Sequence, residues 1–362
     1  MQNRPLDHNI LKSRPHFEVL DGLRGLAALV VVVFHFMEII ITDFSKNFIA
    51  HGFLAVDFFF CLSGFVIAYA YDKRMPEMKP LTFIKLRLIR LQPLVVVGSI
   101  LGLLTFLYAP FGDNLSAIYG LKQTALIFLA SLFVIPYPVV EERYFNLFNL
   151  NAPCWSLFWE YIANLVYLAV LFRIGKKILY ILVVLAAIGI FYVARNYGTL
   201  IGGWSGETFF HGLARIAFSF LMGMLIFRSN LIIKNKLGLL GMSVLLMLAF
   251  LSPYGEQWNH LLEPFILVIY FPLLVSLGAG TKLTGTLRKI NKFSGDISYP
   301  LYMVHYPFMW VFANYVAAEN PSNTELWWVI SISTILLIAL AYAVFRFIDF
   351  PLRRYLRNSM KL

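Results

Sequence analysis

Eleven apolar stretches dominate this chain, at approximately 20–42, 52–71, 91–109, 122–140, 153–172, 178–194, 208–228, 237–252, 260–278, 296–316 and 326–348. Each approaches the roughly 20 residues needed to cross a hydrocarbon core. Of the 362 residues, 60% are hydrophobic and 14% charged, against roughly 25% charged in a soluble domain. One aqueous core cannot absorb that much apolar surface. In lipid, every backbone amide must find its partner inside its own segment. The expected fold class is therefore all-α, a polytopic integral-membrane helical bundle.

The net charge of +11 is spread over short connections between stretches. That pattern sets topology and gives no reason to expect nucleic acid. Basic residues precede the first stretch (Arg4, Lys12, Arg14) and follow the second (Lys73, Arg74, Lys79, Lys85, Arg87, Arg90). They also follow the fifth, seventh and ninth, and fill the C-terminal tail. Eleven full crossings would place that basic tail outside. The fourth stretch is the natural exception, since it ends in "VIPYPVV", where Pro136 and Pro138 break a helix. The expectation is about ten transmembrane helices plus one re-entrant or interfacial segment at 122–140, with both termini cytoplasmic. Residues 1–19 and 349–362 then form cytoplasmic tails around a membrane domain at 20–348. No cleavable signal peptide is evident. Cys61 and Cys154 give neither a disulfide framework nor metal-ligand spacing, and no histidine pair has zinc-motif spacing.

Ionisable residues inside spans are costly and mark functional sites. In "LDGLRGLAALVVVVFHF", Arg24 and His35 lie eleven residues apart, about three turns and roughly 16 Å. Both therefore point to nearly the same face. Arg24 alone is equally explained by snorkelling to the interface; His35, past mid-membrane, is not. Asp57 on the antiparallel second span is expected at the depth of His35, where a carboxylate would orient the imidazole as a base. The alternative there is a buried polar pair that only specifies packing. Ser63 and Gly64 read first as a close helix contact. Glu160 is a second intramembrane carboxylate, which would need an arginine partner if it were purely structural. Ser298, Tyr302 and His305 fall on one helical face with Tyr299 beside them. Arg87 and Arg90, three residues apart, suit a guanidinium clamp for a phosphorylated ligand, or simple positive-inside anchoring. No glycine-rich nucleotide loop is present.

Taken together, these residues resemble the membrane acyltransferase family 3, the bacterial sugar O-acyltransferases, over essentially the whole chain. Its arginine, ten residues and histidine are met by Arg24 and His35, and its "VD-FF-LSGF" by the run from Asp57 to Phe65. Its Arg-x-x-Arg is met by Arg87 and Arg90, its "WSL…E" by Trp155 to Glu160, and its "S-Y-x-x-Y-x-x-H" by Ser298 to His305. Where the family often has Glu-x-Pro after the last span, this chain has Asp349.

The resemblance implies transfer of an acyl group, usually acetyl, from cytoplasmic acyl-coenzyme A to a hydroxyl of a carbohydrate or lipid-linked glycan. The acyl-coenzyme A is donor substrate, not resident cofactor. Arg87 and Arg90 would hold its phosphates and Arg24 its thioester arm. His35, oriented by Asp57, would be general base or transient acyl carrier. Glu160, Tyr302 and His305 would line the outer part of the cavity, with Ser298, Tyr299 and Trp155 also in its wall. Some members carry a fused extracytoplasmic hydrolase-like domain. None is expected in a chain ending at Leu362, so transfer would be completed alone or with a separate extracytoplasmic transferase. The setting implied is the bacterial cytoplasmic membrane. A proton-coupled secondary transporter uses the same intramembrane residue types, but it leaves the Arg-x-x-Arg pair without a job.

Overall fold

The computed structural model describes residues 17–283 and 285–360. Most of the expected N-terminal tail, with Arg4, His8, Lys12, Arg14 and His16, lies outside them, as does Lys361. The helices are α1 (Glu18–Ile40), α2 (Ala55–Tyr71), α3 (Pro80–Tyr108), α4 (Leu115–Leu132), α5 (Cys154–Leu171), α6 (Lys176–Tyr197), α7 (Phe209–Arg228), α8 (Gly238–Phe250), α9 (Glu256–Gly280), α10 (Arg288–Val304), α11 (Tyr306–Glu319) and α12 (Asn323–Ser359). Among the described residues, nine helical segments are long and apolar enough to cross a membrane: α1, α2 together with the turn before it (Ala50–Tyr71), α3 to α7, α9 and α12. Each of the eleven apolar stretches contributes a helix, though the fourth is helical only as far as Leu132. The eighth is the shorter α8, and the tenth is divided between α10 and α11. The chain is a multi-pass helical membrane protein.

α4 qualifies by length, but Gly120 breaks it with φ 69° and ψ 167°. The straight run after the break is only about 18 Å long, short of a hydrocarbon core of roughly 30 Å. Val134, at φ 53°, then turns the chain away ahead of the two prolines. The connection that follows does not stay at the surface. Asn146, Asn149, Asn151 and Ala152 are buried, so α5 starts inside the bundle.

The two most extensive pairings are α2 with α7 and α1 with α10. Glycine permits both. A Cβ on Gly64 would sit 1.9 Å from the Phe220 carbonyl oxygen, and one on Gly25 would sit 2.0 Å from Ser294 Oγ. The close contact expected at Gly64 is thus made, against α7. Proline shapes the α10–α11 junction. Pro307 has no N–H for the Met303 carbonyl, four residues earlier. Asn151 Nδ2 takes that carbonyl instead, at 2.9 Å, and His305 stands at the break. The C-terminal residues expected as a tail are helical, since α12 continues through a π-helical turn at Phe345–Asp349 to Ser359.

Candidate active site

Two cavities lie end to end in the bundle. The smaller, of 180 Å³, is lined by Arg24, Arg87, Arg90, Ser63, Glu160, Ser298 and Tyr299 among others. The larger, of 590 Å³, is lined by His35, Glu38, Arg143, Trp155, Arg215, Tyr306 and further aromatic residues. Val56 and Tyr302 line both and form the partition between them. The first is called here the arginine chamber and the second the histidine chamber.

In the arginine chamber, the close α1–α10 approach brings Arg24 to the opposite wall. Its Nε donates to Ser298 Oγ at 2.9 Å and an Nη to the Gly295 carbonyl at 3.1 Å, with Asp21 3.2 Å away. Arg24 is therefore directed across the bundle rather than along it to the interface. Arg87 pairs with Glu160 at 3.1 Å, and Glu160 also accepts from Ser63 Oγ at 2.6 Å and Asn164 Nδ2 at 3.2 Å. Arg90 lies 6.0 Å from the Tyr299 ring centroid, and among the described residues it has no carboxylate within ion-pair distance. Asp21 offsets Arg24 and Glu160 offsets Arg87, so among the described residues Arg90 is the chamber guanidinium left without an ion pair, a balance that favours an anionic ligand. The volume equals roughly six waters, enough for the reactive tip of a long donor and not for a nucleotide. Glu160 thus belongs with the arginines and not to the other part of the cavity. The reason is the inward fold of residues 146–153, which starts α5 deep and carries Glu160 to the level of Arg87.

In the histidine chamber, His35 Nδ1 lies 2.5 Å from Glu38 Oε1. With Glu38 ionised and the imidazole neutral, the carboxylate accepts from Nδ1–H and Nε2 keeps its lone pair. The ring is 19% exposed, to the chamber. His305 stacks on it with centroids 5.3 Å apart and planes 23° from parallel, and the Tyr306 ring meets it edge-on at 4.8 Å. His305 itself is fully buried. Its Nδ1 lies 3.1 Å from the Leu301 carbonyl and its Nε2 has no partner. It backs the His35 ring instead of lining a chamber. Trp155 lines the histidine chamber, and Ser298 and Tyr299 the arginine chamber.

Asp57 does not orient His35. Its carboxylate is held by Arg215 of α7, with an Nη 2.6 Å from Oδ2 and Nε 3.0 Å from Oδ1. Arg215 also donates to the Gly202 and Phe53 carbonyls and lies over the Trp155 ring at 4.9 Å. Both side chains are almost wholly buried, at 0% and 1% exposed. A carboxylate there needs a paired cation, and α2 turns Asp57 toward α7, its main partner. Depth along the helix was legible from the residue count, but direction around it was not.

Three residues were missed. Glu38 stands three residues after His35, the spacing that places two side chains on one face. Arg215 is a charge within the apolar stretch 208–228, the kind of residue that marks an intramembrane partner. Arg143 lies in a loop and carried no such signal.

Residues 17–346 match a family model described as an acyltransferase domain. The chain belongs to the acyltransferase 3 family. Every motif residue named above, from Arg24 to His305, falls inside the matched span. Among curated relatives, the chain is similar to O-acetyltransferase OatA of Staphylococcus aureus, 26% identical over 92% of this chain and 57% of that protein. It is similar to peptidoglycan O-acetyltransferase OatA of Listeria monocytogenes, 23% identical over 94% of this chain and 56% of that one. The chain thus spans little more than half the length of either. A protein from the picA locus of Rhizobium radiobacter is 37% identical over 42% of this chain and 80% of its own length. No solved structure matches.

Proposed function

We propose that this protein moves an acyl group, acetyl in the simplest case, from acyl-coenzyme A to a hydroxyl of a carbohydrate or lipid-linked glycan. The observation that carries this reading is the pair of chambers meeting at Val56 and Tyr302, with three guanidiniums on one side and the His35–Glu38 pair on the other. The basic connections favour a cytoplasmic arginine chamber and cytoplasmic termini, in a bacterial inner membrane. Family membership and the O-acetyltransferase relatives favour acetyl transfer.

In this reading the thioester end of the donor enters the arginine chamber. Arg90 and Arg24 face the thioester carbonyl, whose oxygen gains negative charge during attack, and Glu160 holds Arg87 in place. The acceptor lies in the histidine chamber, whose volume and aromatic walls suit a sugar-sized ligand. Nε2 of His35 takes the proton of the acceptor hydroxyl while its oxygen attacks the thioester carbonyl. The C–S bond breaks and coenzyme A leaves as the thiol. Glu38 fixes the tautomer and stabilises the imidazolium, the role expected of Asp57 from the sequence. If His35 is instead an acyl carrier, Nε2 itself attacks the carbonyl. The acyl group then passes to the acceptor or to a separate extracytoplasmic transferase.

The test uses purified protein in liposomes with labelled acetyl-coenzyme A and a candidate glycan acceptor. Acceptor-dependent release of coenzyme A is expected. His35→Ala should lower it by at least the 10²–10⁴-fold typical of a lost general base, roughly, while the protein still inserts. Solute flux without thioester cleavage would instead establish a transporter. Label trapped on His35 in a single turnover identifies the carrier route.

A further inference from the structure

One cation of the histidine chamber has no ion-pair partner among the described residues. Arg215 is neutralised by Asp57. Arg143, from the α4–α5 connection, is 3% exposed, and among the described residues no carboxylate lies within ion-pair distance of it. Glu142, its neighbour, is exposed and accepts from the Tyr119 hydroxyl at 2.7 Å. The Arg143 guanidinium lies 5.1 Å from the Phe106 ring centroid and 5.2 Å from that of Trp310. One Nη donates to the Asn149 carbonyl at 2.7 Å. Its Nε and other Nη have no acceptor among the described residues, and the side chain lines the chamber. Beside it, Trp310 Nε1 is also a donor without a partner. The two residues after Arg143, Tyr144 and Phe145, hold φ of 54° and 48°. Left-handed backbone at two successive bulky residues is strained, and such strain clusters at ligand clamps. Burial pushes the guanidinium down to about 9, a sign of how poorly the loop alone solvates it.

A buried cation is stable only with an anion to meet it. The aromatic contacts and one carbonyl fix the plane of Arg143 and leave one edge of its fork toward the chamber. That edge matches two oxygens of a carboxylate or phosphate.

We propose that Arg143 binds an anionic group carried by the acceptor, a sugar carboxylate or a glycosyl phosphate, so that the acceptor class is an acidic glycan rather than a neutral one. This rests on the histidine chamber being the acceptor site.

The test is binding, read from tryptophan fluorescence of the purified protein in detergent, since Trp155, Trp204 and Trp310 line the chamber. Three probes are titrated: a methyl glucuronide, glucose 1-phosphate and a methyl glucoside. Coenzyme A is present throughout to occupy the arginine chamber. At least one anionic probe should bind about tenfold or more tighter than the neutral one. Which of them does so distinguishes carboxylate from phosphate. Arg143→Gln should bring the three within about twofold of one another. Arg143→Lys, which keeps the charge and loses the fork, should keep part of the preference. A neutral probe that binds the unsubstituted protein as tightly as both anions overturns the proposal. So does a preference that survives Arg143→Gln. Failure of coenzyme A to bind counts against the donor reading and leaves the probe comparison readable.

Discussion

Two carboxylates in this bundle, Glu38 and Asp57, hold different partners. Glu38 meets His35 and can be neutralised with little change of shape. Glu38→Gln should keep the thermal unfolding midpoint within a few degrees and lower acyl transfer by about 10²–10⁴-fold, the range lost when a base loses its orienter or its function. Asp57→Asn should behave the other way. It strands a buried guanidinium, which costs about 3–5 kcal/mol, so its first effect should be on folded yield and unfolding temperature in detergent. A stable, slow Asp57→Asn protein beside an active Glu38→Gln protein would return the orienting role to Asp57. Much of the lining of the two chambers could be read from residue types alone. Arg24, His35, Glu160, Ser298, Tyr299, Tyr302 and Trp155 all line one of the two chambers. What could not be read was pairing. A rise of 1.5 Å per residue gives height, but a side chain's partner depends on which neighbour its helix faces.

At the scale of elements, the helices were legible because lipid demands them, and their contacts were not. The α2–α7 crossing depends on glycine from both sides: a Cβ on Gly223 would lie 2.0 Å from the Cys61 carbonyl oxygen, just as one on Gly64 would meet Phe220. Gly64→Ala should therefore force the helices apart and destabilise by about 1–3 kcal/mol. Loosening the Asp57–Arg215 pair should follow. Gly189, within α6, offers the contrast, because nothing lies within 4 Å of a Cβ placed there. Gly189→Ala should be neutral or stabilise by about 0.5–1 kcal/mol through helix propensity. Unfolding curves of both variants in one detergent check the pair. Equal effects would mean that the crossing is not as tight as it stands here. The break at His305 had a visible cause in Pro307. Its repair by Asn151 did not, since that residue is 152 positions from Met303, whose carbonyl it takes.

For the whole molecule, the expected alternation of basic and non-basic connections can be tested directly. A topology reporter near residue 175, between α5 and α6, should read cytoplasmic, and an external signal there would reverse the proposed orientation. The partition at Tyr302 sets a second expectation. Its hydroxyl bonds Ser156 Oγ at 2.8 Å, tying α10 to α5. Tyr302→Ala should join the chambers and admit water to the thioester. Acceptor-independent hydrolysis of acetyl-coenzyme A should rise several-fold while transfer to glycan falls. Unchanged hydrolysis would show that some other residue closes the passage.

That same tyrosine has a consequence for the cell rather than for the reaction. Two chambers end to end in a membrane protein amount to most of a pore. Val56 and Tyr302 are the residues that line both of them. In the proposed reaction an acyl group passes that partition at every turnover without opening it to ions. The bulk of one aromatic ring is then as much an electrical insulator as a part of an enzyme.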